Sequence, residues 1–548
     1  MACAPPTEGR HRGPAAYPDE VLFRRPTEPP LPTGGPGEDA DLTVEAPAAQ
    51  EVGVAPWPEL WRRRVSARVE QSPHYAWIVL ATALFGLFSV GFTITILSLS
   101  IPTISADLDS PRSTLTWLVT GPILAFAIFG PTAGKLADLY GSRRVYLISL
   151  GGAIVFAGLT AVAWSAESLI AFRVLGATAG AATGPASMAL INRLFPRERR
   201  VQAMGYWSMV AAGGPVIGAV VGGPIVEQFS WRWIFIAQVP LTMAGWLVAY
   251  GIYPDTERGR RTRFDVAGSV TLALGIASVL IAINRGPELG WGSPVVIGGL
   301  VLCPVMLASF VAIERRTEHP LIPLAYFRRR NFAFPIVTQF FLNFTYMGGF
   351  LLTGFLLQDV LGYSVSKTSV VSIARPIVFT ITGPIAGYIA VKVGERSIAV
   401  AGALALVMSM VGMAMVGPGT SDAFIVVALG LSGFALGASG PSLAASIANA
   451  VDEADLGIAG ATQQMASQVG STVGMQILVT IQIAREGVAG QAASYHTAYL
   501  VGAAVAALGV VTAAFVRSTR KAEALDAARG GGAPKGAPTS SSRELEPA

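Results

Sequence analysis

From residue 76 onward the chain alternates long apolar stretches with short polar turns, and each stretch is long enough to cross a bilayer, for which a helix needs about 20 residues. The stretches run over 76–101, 114–134, 145–164, 168–190, 201–225, 231–252, 266–284, 294–314, 331–355, 366–390, 397–417, 423–449, 457–484 and 497–517, fourteen in all. Residues 1–70 carry Pro, Gly, Glu and Arg without apolar periodicity, and 518–548 are basic and then rich in Gly, Pro and Ser. Both ends are expected to be disordered tails. No apolar core lies near Met1, so no signal peptide is expected. Trp57-Pro-Glu-Leu-Trp61-Arg-Arg-Arg64 is expected along the membrane surface, tryptophans among headgroups and arginines toward anionic lipid.

Composition agrees with the pattern. Of 548 residues, 52% are hydrophobic and 13% charged, too apolar for an ordinary soluble globule. The net charge of +5 does not indicate a nucleic-acid partner, because the basic residues sit in short loops between spans rather than in one patch. With the N-terminus inside, the inner loops and flanks hold 25 Lys and Arg, from Arg62 to Lys521, and the outer loops only Arg112, Arg232, Arg285, Lys367 and Arg485. The positive-inside rule therefore puts both termini in the cytoplasm. Cys3 and Cys303 form no disulfide framework, and four scattered histidines form no metal site. No metal or cofactor is expected. Arginine outnumbers lysine 34 to 5, which suggests a GC-rich bacterial genome and hence a bacterial cell membrane.

The polar turn after the second span carries the most chemistry. Gly134 and Gly141 allow a tight turn and close helix contact, while Asp138, Arg143 and Arg144 can bond to helix ends or to each other and so latch one conformation. A solvated positive-inside loop would look similar. The pattern Gly134-x-Leu136-Ala137-Asp138-x-x-Gly141-x-Arg143-Arg144 resembles the loop between helices 2 and 3 of major facilitator superfamily transporters, with Leu139 and Ser142 at two positions that are often basic. Gly387-Tyr-Ile-Ala390-Val-Lys392-Val-Gly394-Glu-Arg396, after the tenth span, reads as a degraded second copy with Val391 in the place of the carboxylate. Two six-helix halves with two helices inserted between them follow.

Four further segments carry the resemblance, two of them to that superfamily's fourteen-helix drug:proton antiporter branch. Arg173 sits inside the fourth span, where a guanidinium costs about 3 kcal/mol or more unless it meets a partner or a wet cavity. Gly213-Gly214-Pro215-Val216-Ile217-Gly218-Ala219 resembles the antiporter motif of the fifth helix; its glycines suit close packing and Pro215 a bend. Ser230-Trp231-Arg232-Trp233 and His319-Pro320-Leu-Ile-Pro323 resemble signatures of the same branch. One departure matters. Where the branch carries a first-helix aspartate and asparagine, this chain has Thr93 and Ser98, and no span holds a central Asp or Glu.

Arg375 lies in the tenth span and is expected, with Arg173, to make a cavity suited to anionic or zwitterionic groups. The ninth span adds Gln339, Asn343 and an aromatic stripe containing Phe344, and the thirteenth adds Gln463, Gln464 and Gln468; each set suits helix packing as well as a ligand wall. The expected fold is an all-α polytopic membrane protein of major facilitator type. Its expected parts are a tail 1–70, a bundle 71–255, an inserted pair 256–318, a second bundle 319–517 and a tail 518–548. What the resemblance implies is a monomeric secondary transporter in the lipid bilayer that exports hydrophobic or amphiphilic compounds by alternating access in exchange for protons. The missing carboxylate keeps open a carrier of an anionic metabolite or lipid without proton coupling. A membrane enzyme or receptor is a third reading, against which stands the lack of a nucleophile–base pair, metal cluster or sensory domain.

Overall fold

A computed structural model describes residues 57–110, 112–115, 117–254 and 264–517. The expectations for the rest of the two tails and for 255–263 lie outside the described residues, as does the side chain of Ser98. Among the described residues, eleven helices are long and apolar enough to cross a membrane. Three further apolar segments complete the series: Tyr75–Gly91 continued by Thr93–Asp107, then Arg200–Gln228, then Leu456–Ala489. Below, the spans are numbered first to fourteenth in chain order.

Helix boundaries follow local chemistry. The fourth span (Ala166–Gly180 with Thr183–Leu194) starts at a capping box in which Ser165 accepts from the Ser168 amide, and the Ser421 side chain caps the twelfth (Asp422–Asn449) by accepting from the Phe424 amide. The second span (Trp117–Tyr140) gives way to the third (Ser142–Ala161) at Gly141, φ 92°. The tenth (Val365–Ser372 with Ala374–Val393) gives way to the eleventh (Glu395–Ala414) at Gly394, φ 90°. Both positions need the left-handed backbone that glycine adopts freely. The repeated turn is thus present in backbone geometry as well as in residue order.

The two halves pack by the same plan. The first span lies against the fifth (Arg200–Gln228) and sixth (Arg232–Ile252), and the ninth (Arg330–Asp359) against the thirteenth (Leu456–Ala489) and fourteenth (Gln491–Ala514). Between halves, the second span meets the thirteenth and the fifth meets the tenth. Glycine permits these approaches: a β-carbon at Gly134 would strike the Gly457 carbonyl, and one at Gly387 would stand 2.8 Å from the Val201 carbonyl. A short 3-10 turn precedes each of the helices approached, Arg197–Arg199 before the fifth span and Glu453–Asp455 before the thirteenth.

The inserted pair, Val266–Leu289 and Pro294–Glu314, packs on itself, and its first helix also touches the second and thirteenth spans. The second of the two exposes Val295, Ile297, Val301 and Val305, which suits a lipid-facing position. One expectation is corrected here. Residues 57–70, assigned from sequence to a disordered tail, form the helix Trp57–Glu70, and Ser66 Oγ donates to the Gly251 carbonyl at the end of the sixth span. The segment Arg62–Glu70 holds good helix formers and no glycine or proline, which the compositional reading of the whole tail obscured.

The Ser-Trp-Arg-Trp signature has a structural role at the end away from Asp138. The Trp231 indole and Arg232 both donate to Asp107 Oδ2, at 3.0 and 2.7 Å, and Arg232 also donates to the Ala163 carbonyl. The ends of the first, third and sixth spans are thereby tied. Asp107 lies beyond the apolar stretch, and the Trp231 and Arg232 bonds hold its carboxyl below the usual carboxylate range.

Candidate functional site

The charged turn connects helix ends. Asp138 is 4% exposed, and its two oxygens accept from the backbone amides of Gly457 and Ile458, each at 2.8 Å. A carboxylate from the first half therefore sits on the N-terminus of the thirteenth span, where unpaired amides and the helix dipole favour negative charge. Arg193, from the end of the fourth span, approaches the same carboxylate at 3.3 Å. Arg143 does the converse: its guanidinium donates to the Tyr250 carbonyl at 2.8 Å, near the C-terminus of the sixth span. Asp138 and Arg143 thus both contact helix ends, and Arg144 points outward, exposed.

Around this latch the facing loops carry opposite charge. The first half offers Arg193, Arg197, Arg199 and Arg200, and the second offers Asp452, Glu453 and Asp455. Arg200 Nη1 donates to Asn449 Oδ1 at 3.0 Å and to the Ala448 carbonyl at 3.3 Å, and Lys135 lies 3.8 Å from Asp455. Tyr326 donates to Asp455 at 2.6 Å and to Asp452 at 3.2 Å; burial and the Asp455 bond push its hydroxyl above the ordinary tyrosine range. At this end the halves are closed upon each other.

Beyond the closure a cavity of about 350 Å³ lies between the halves. Its walls run from Met188, Met204 and Ala444 on the latch side to Leu118 and Thr160, which lie within about a turn of the far helix ends. Most of the lining is apolar. The polar groups are mainly amides and hydroxyls, with Gln238, Gln339, Asn343, Gln463, Gln464 and Gln468 among them. Arg173 is the single charged side chain among the lining residues. Its Nη1 reaches Thr93 Oγ1 at 3.5 Å, the guanidinium stands 5.5 Å from the Phe235 ring centre, and its Nε has no hydrogen-bond partner. Donors remain for whatever enters the cavity.

The family profile described as Major Facilitator Superfamily matches residues 83–475. The chain belongs to this superfamily. It is a multi-pass membrane protein and a transporter, not an enzyme. It is 29% identical over 417 residues to the Tetracenomycin C resistance and export protein of Streptomyces glaucescens, covering 75% of this chain and 77% of that one. It is 30% identical over 406 residues to the multidrug resistance protein Stp of Mycobacterium tuberculosis, 74% of this chain and 75% of that one. Against the multidrug export protein EmrB of Escherichia coli the identity is 32% over 308 residues, 55% and 59% of the two chains. Solved structures of similar fold include the human organic anion transporter MFSD10, with TM-score 0.59 and 16% identity over 81% of this chain and 100% of that one. The proton:xylose symporter XylE follows the same fold, with TM-score 0.61 and 14% identity over 82% and 99%.

Within this superfamily fold the site residues expected from sequence divide into three groups. Arg173, Gln339, Asn343 and Pro215 meet at the cavity, with buried Thr93 behind Arg173. Gly214 and Gly218 instead serve packing between the first and fifth spans: a β-carbon at Gly218 would collide with the Phe92 carbonyl, where the first span is interrupted. The expected shared cavity of Arg173 and Arg375 is corrected. Arg375 is 1% exposed inside the second half, donates to the Tyr346 carbonyl at 3.2 Å and Thr353 Oγ1 at 3.4 Å, and lies 5.1 Å from the Tyr346 ring centre. Tyr346 lines the cavity and Arg375 stands behind it. Phe344 is likewise a packing residue, its backbone pressed against Gly474 of the thirteenth span. Sequence reading passed over Gln238 and Ser208 as cavity residues, although polar side chains in otherwise apolar stretches would have marked both.

Proposed function

We propose that the protein exports aromatic or amphiphilic small molecules, neutral or acidic, by alternating access from a cavity between its two halves. One observation carries the reading: the cavity is closed at the Asp138 end, and its single charge is the incompletely bonded Arg173. A guanidinium in an apolar wall favours carboxylate and enolate groups, and the surrounding amides suit carbonyl and hydroxyl groups. Lipophilic cations would face that charge with no counter-charge in the wall. The names of the relatives support export, since they are resistance and export proteins. The excess of basic residues in the loops at the latch end supports a cytoplasmic placement of that end, and with it both termini inside a bacterial cell membrane. The state described is then closed to the cytoplasm. We read the working unit as a monomer, driven by proton exchange.

The test is dye accumulation in inverted vesicles from cells with and without the protein, comparing a hydroxyanthraquinone carboxylate with a lipophilic cation. The acid should accumulate in a protein-dependent manner, and Arg173→Ala should reduce that accumulation more than Arg173→Lys. Equal accumulation with and without the protein for both dyes would sink the reading. A second reading, a carrier without proton coupling, is favoured by the lack of any carboxylate in the cavity wall. Accumulation of the acid that survives collapse of the pH gradient would select it.

A further inference from the structure

The cavity holds no carboxylate, yet two acids are buried together elsewhere. Asp265 begins the first inserted helix and Glu314 ends the second, and they are 8% and 5% exposed. One oxygen of each is bonded: Asp265 Oδ1 accepts from the Gly268 amide at 2.8 Å, and Glu314 Oε1 accepts from the amides of Leu321 and Ile322 at 2.9 and 3.4 Å. The other two oxygens, Asp265 Oδ2 and Glu314 Oε2, are buried with no hydrogen-bond partner. The carboxyls flank a single glycine. A β-carbon on Gly268 would overlap Asp265 Oδ2 and stand 3.1 Å from Glu314 Oε1. No salt bridge reaches either acid among the described residues.

Two ionised carboxylates side by side in a low-dielectric site repel strongly, and each free oxygen loses its hydration without replacement. One proton, carried by either acid, leaves the pair with one negative charge in place of two. We propose that the inserted helix pair carries a proton-binding site of the transporter, in which Asp265 and Glu314 hold one shared proton that exchanges with water at the latch end.

The charged groups around the pair fit this use. Lys135 of the second span faces Glu314 and is also paired with Asp455 across the two halves. Arg315, Arg316, Glu318 and His319 directly follow Glu314, and all four are exposed. The part of the thirteenth span in the shared apolar cluster, Ile458 and Ala461, adds no charge. That cluster joins Leu272, Ile276 and Phe310 of the inserted pair to these residues, immediately beside the amides that Asp138 caps. With the proton bound, the pair carries one negative charge and Lys135 is shared with Asp455. With the proton released, it carries two, which draws Lys135 from Asp455 and loosens the tie between halves. Binding and release balance as one carboxylic acid against one carboxylate and one aqueous proton.

The first test uses the proton alone as probe on the full-length protein in lipid nanodiscs, by infrared difference spectroscopy across a pH series. The wild type should show a titrating protonated-carboxyl band that both Glu314→Gln and Asp265→Asn remove or displace. A wild type with no such band, or a band that both variants leave unchanged, overturns the site without reliance on any variant's activity. A band displaced by sodium at constant pH overturns it in favour of a metal cation. The transport arm rests on the export reading: in proteoliposomes an imposed pH gradient should drive the acidic dye with wild type and fail to do so with Glu314→Gln, while dye binding measured by fluorescence quenching stays at the wild-type level. Dye driven normally by the gradient in the variant refutes the coupling role, whereas absence of dye binding in the wild type refutes the export reading and leaves the infrared result standing.

Discussion

Arg375 shows how one side chain's surroundings decide its meaning. A guanidinium buried among Tyr346, Phe350, Thr353 and Tyr499, with no carboxylate bonded to it, is held by one carbonyl, one hydroxyl and two ring faces. Buried charges are often replaceable by apolar groups of similar volume at no cost, or with a gain of about 1–4 kcal/mol, whereas truncation leaves a void and unpaired partners. Arg375→Met should therefore keep or raise the melting temperature in detergent and retain transport of the acidic dye, while Arg375→Ala should lower the melting temperature. Loss of transport in a stable Arg375→Met protein would return this arginine to the cavity. Arg173 is the contrasting case, for it lines the cavity itself.

Among elements, the first and fifth spans meet most closely where Gly218 faces the Phe92 carbonyl. Overpacking such a contact costs about 1–3 kcal/mol and moves backbone, so Gly218→Val should lower the melting temperature and reduce transport, and Gly214→Ala, which has ordinary room beside Phe88, should do neither. The Asp107–Arg232–Trp231 tie supplies a pH test. A carboxyl held below its unfolded range stabilises the fold above that unfolded range and loses the contribution as pH falls through the depressed value. Asp107→Asn should thus melt below wild type at neutral pH, and the gap should narrow as the medium is made acidic. The helices themselves were legible from apolar run length, and the close-packed glycines from their spacing, because both signals are local. Which guanidinium faces water was not. Arg173 and Arg375 have similar sequence surroundings, and only the packing of Tyr346 between Arg375 and the cavity separates them. The Asp265–Glu314 pair was hidden for the same reason, since 49 positions of chain separate its members.

At the scale of the whole molecule, closure of the latch end rests on the Asp138 cap together with loops of opposite charge. Hydrogen bonds to a charged group are worth about 1.5–3 kcal/mol each, while the exposed loop charges are screened beyond about 10 Å at 0.1 M salt. Raising ionic strength should therefore shift the population modestly toward the state open at this end, and Asp138→Asn should shift it more and with little dependence on salt. Spin labels placed on the third and eleventh spans would read both effects as changes in a distance distribution; no shift on removing the Asp138 charge would deny the cap its role. The duplicated turn adds a last consequence. Its second copy has Val391 where Asp138 stands, so the start of the fifth span, which Gly387 approaches, meets an apolar side chain rather than a carboxylate. A gate built from two like leaves thus has its bolt on only one of them.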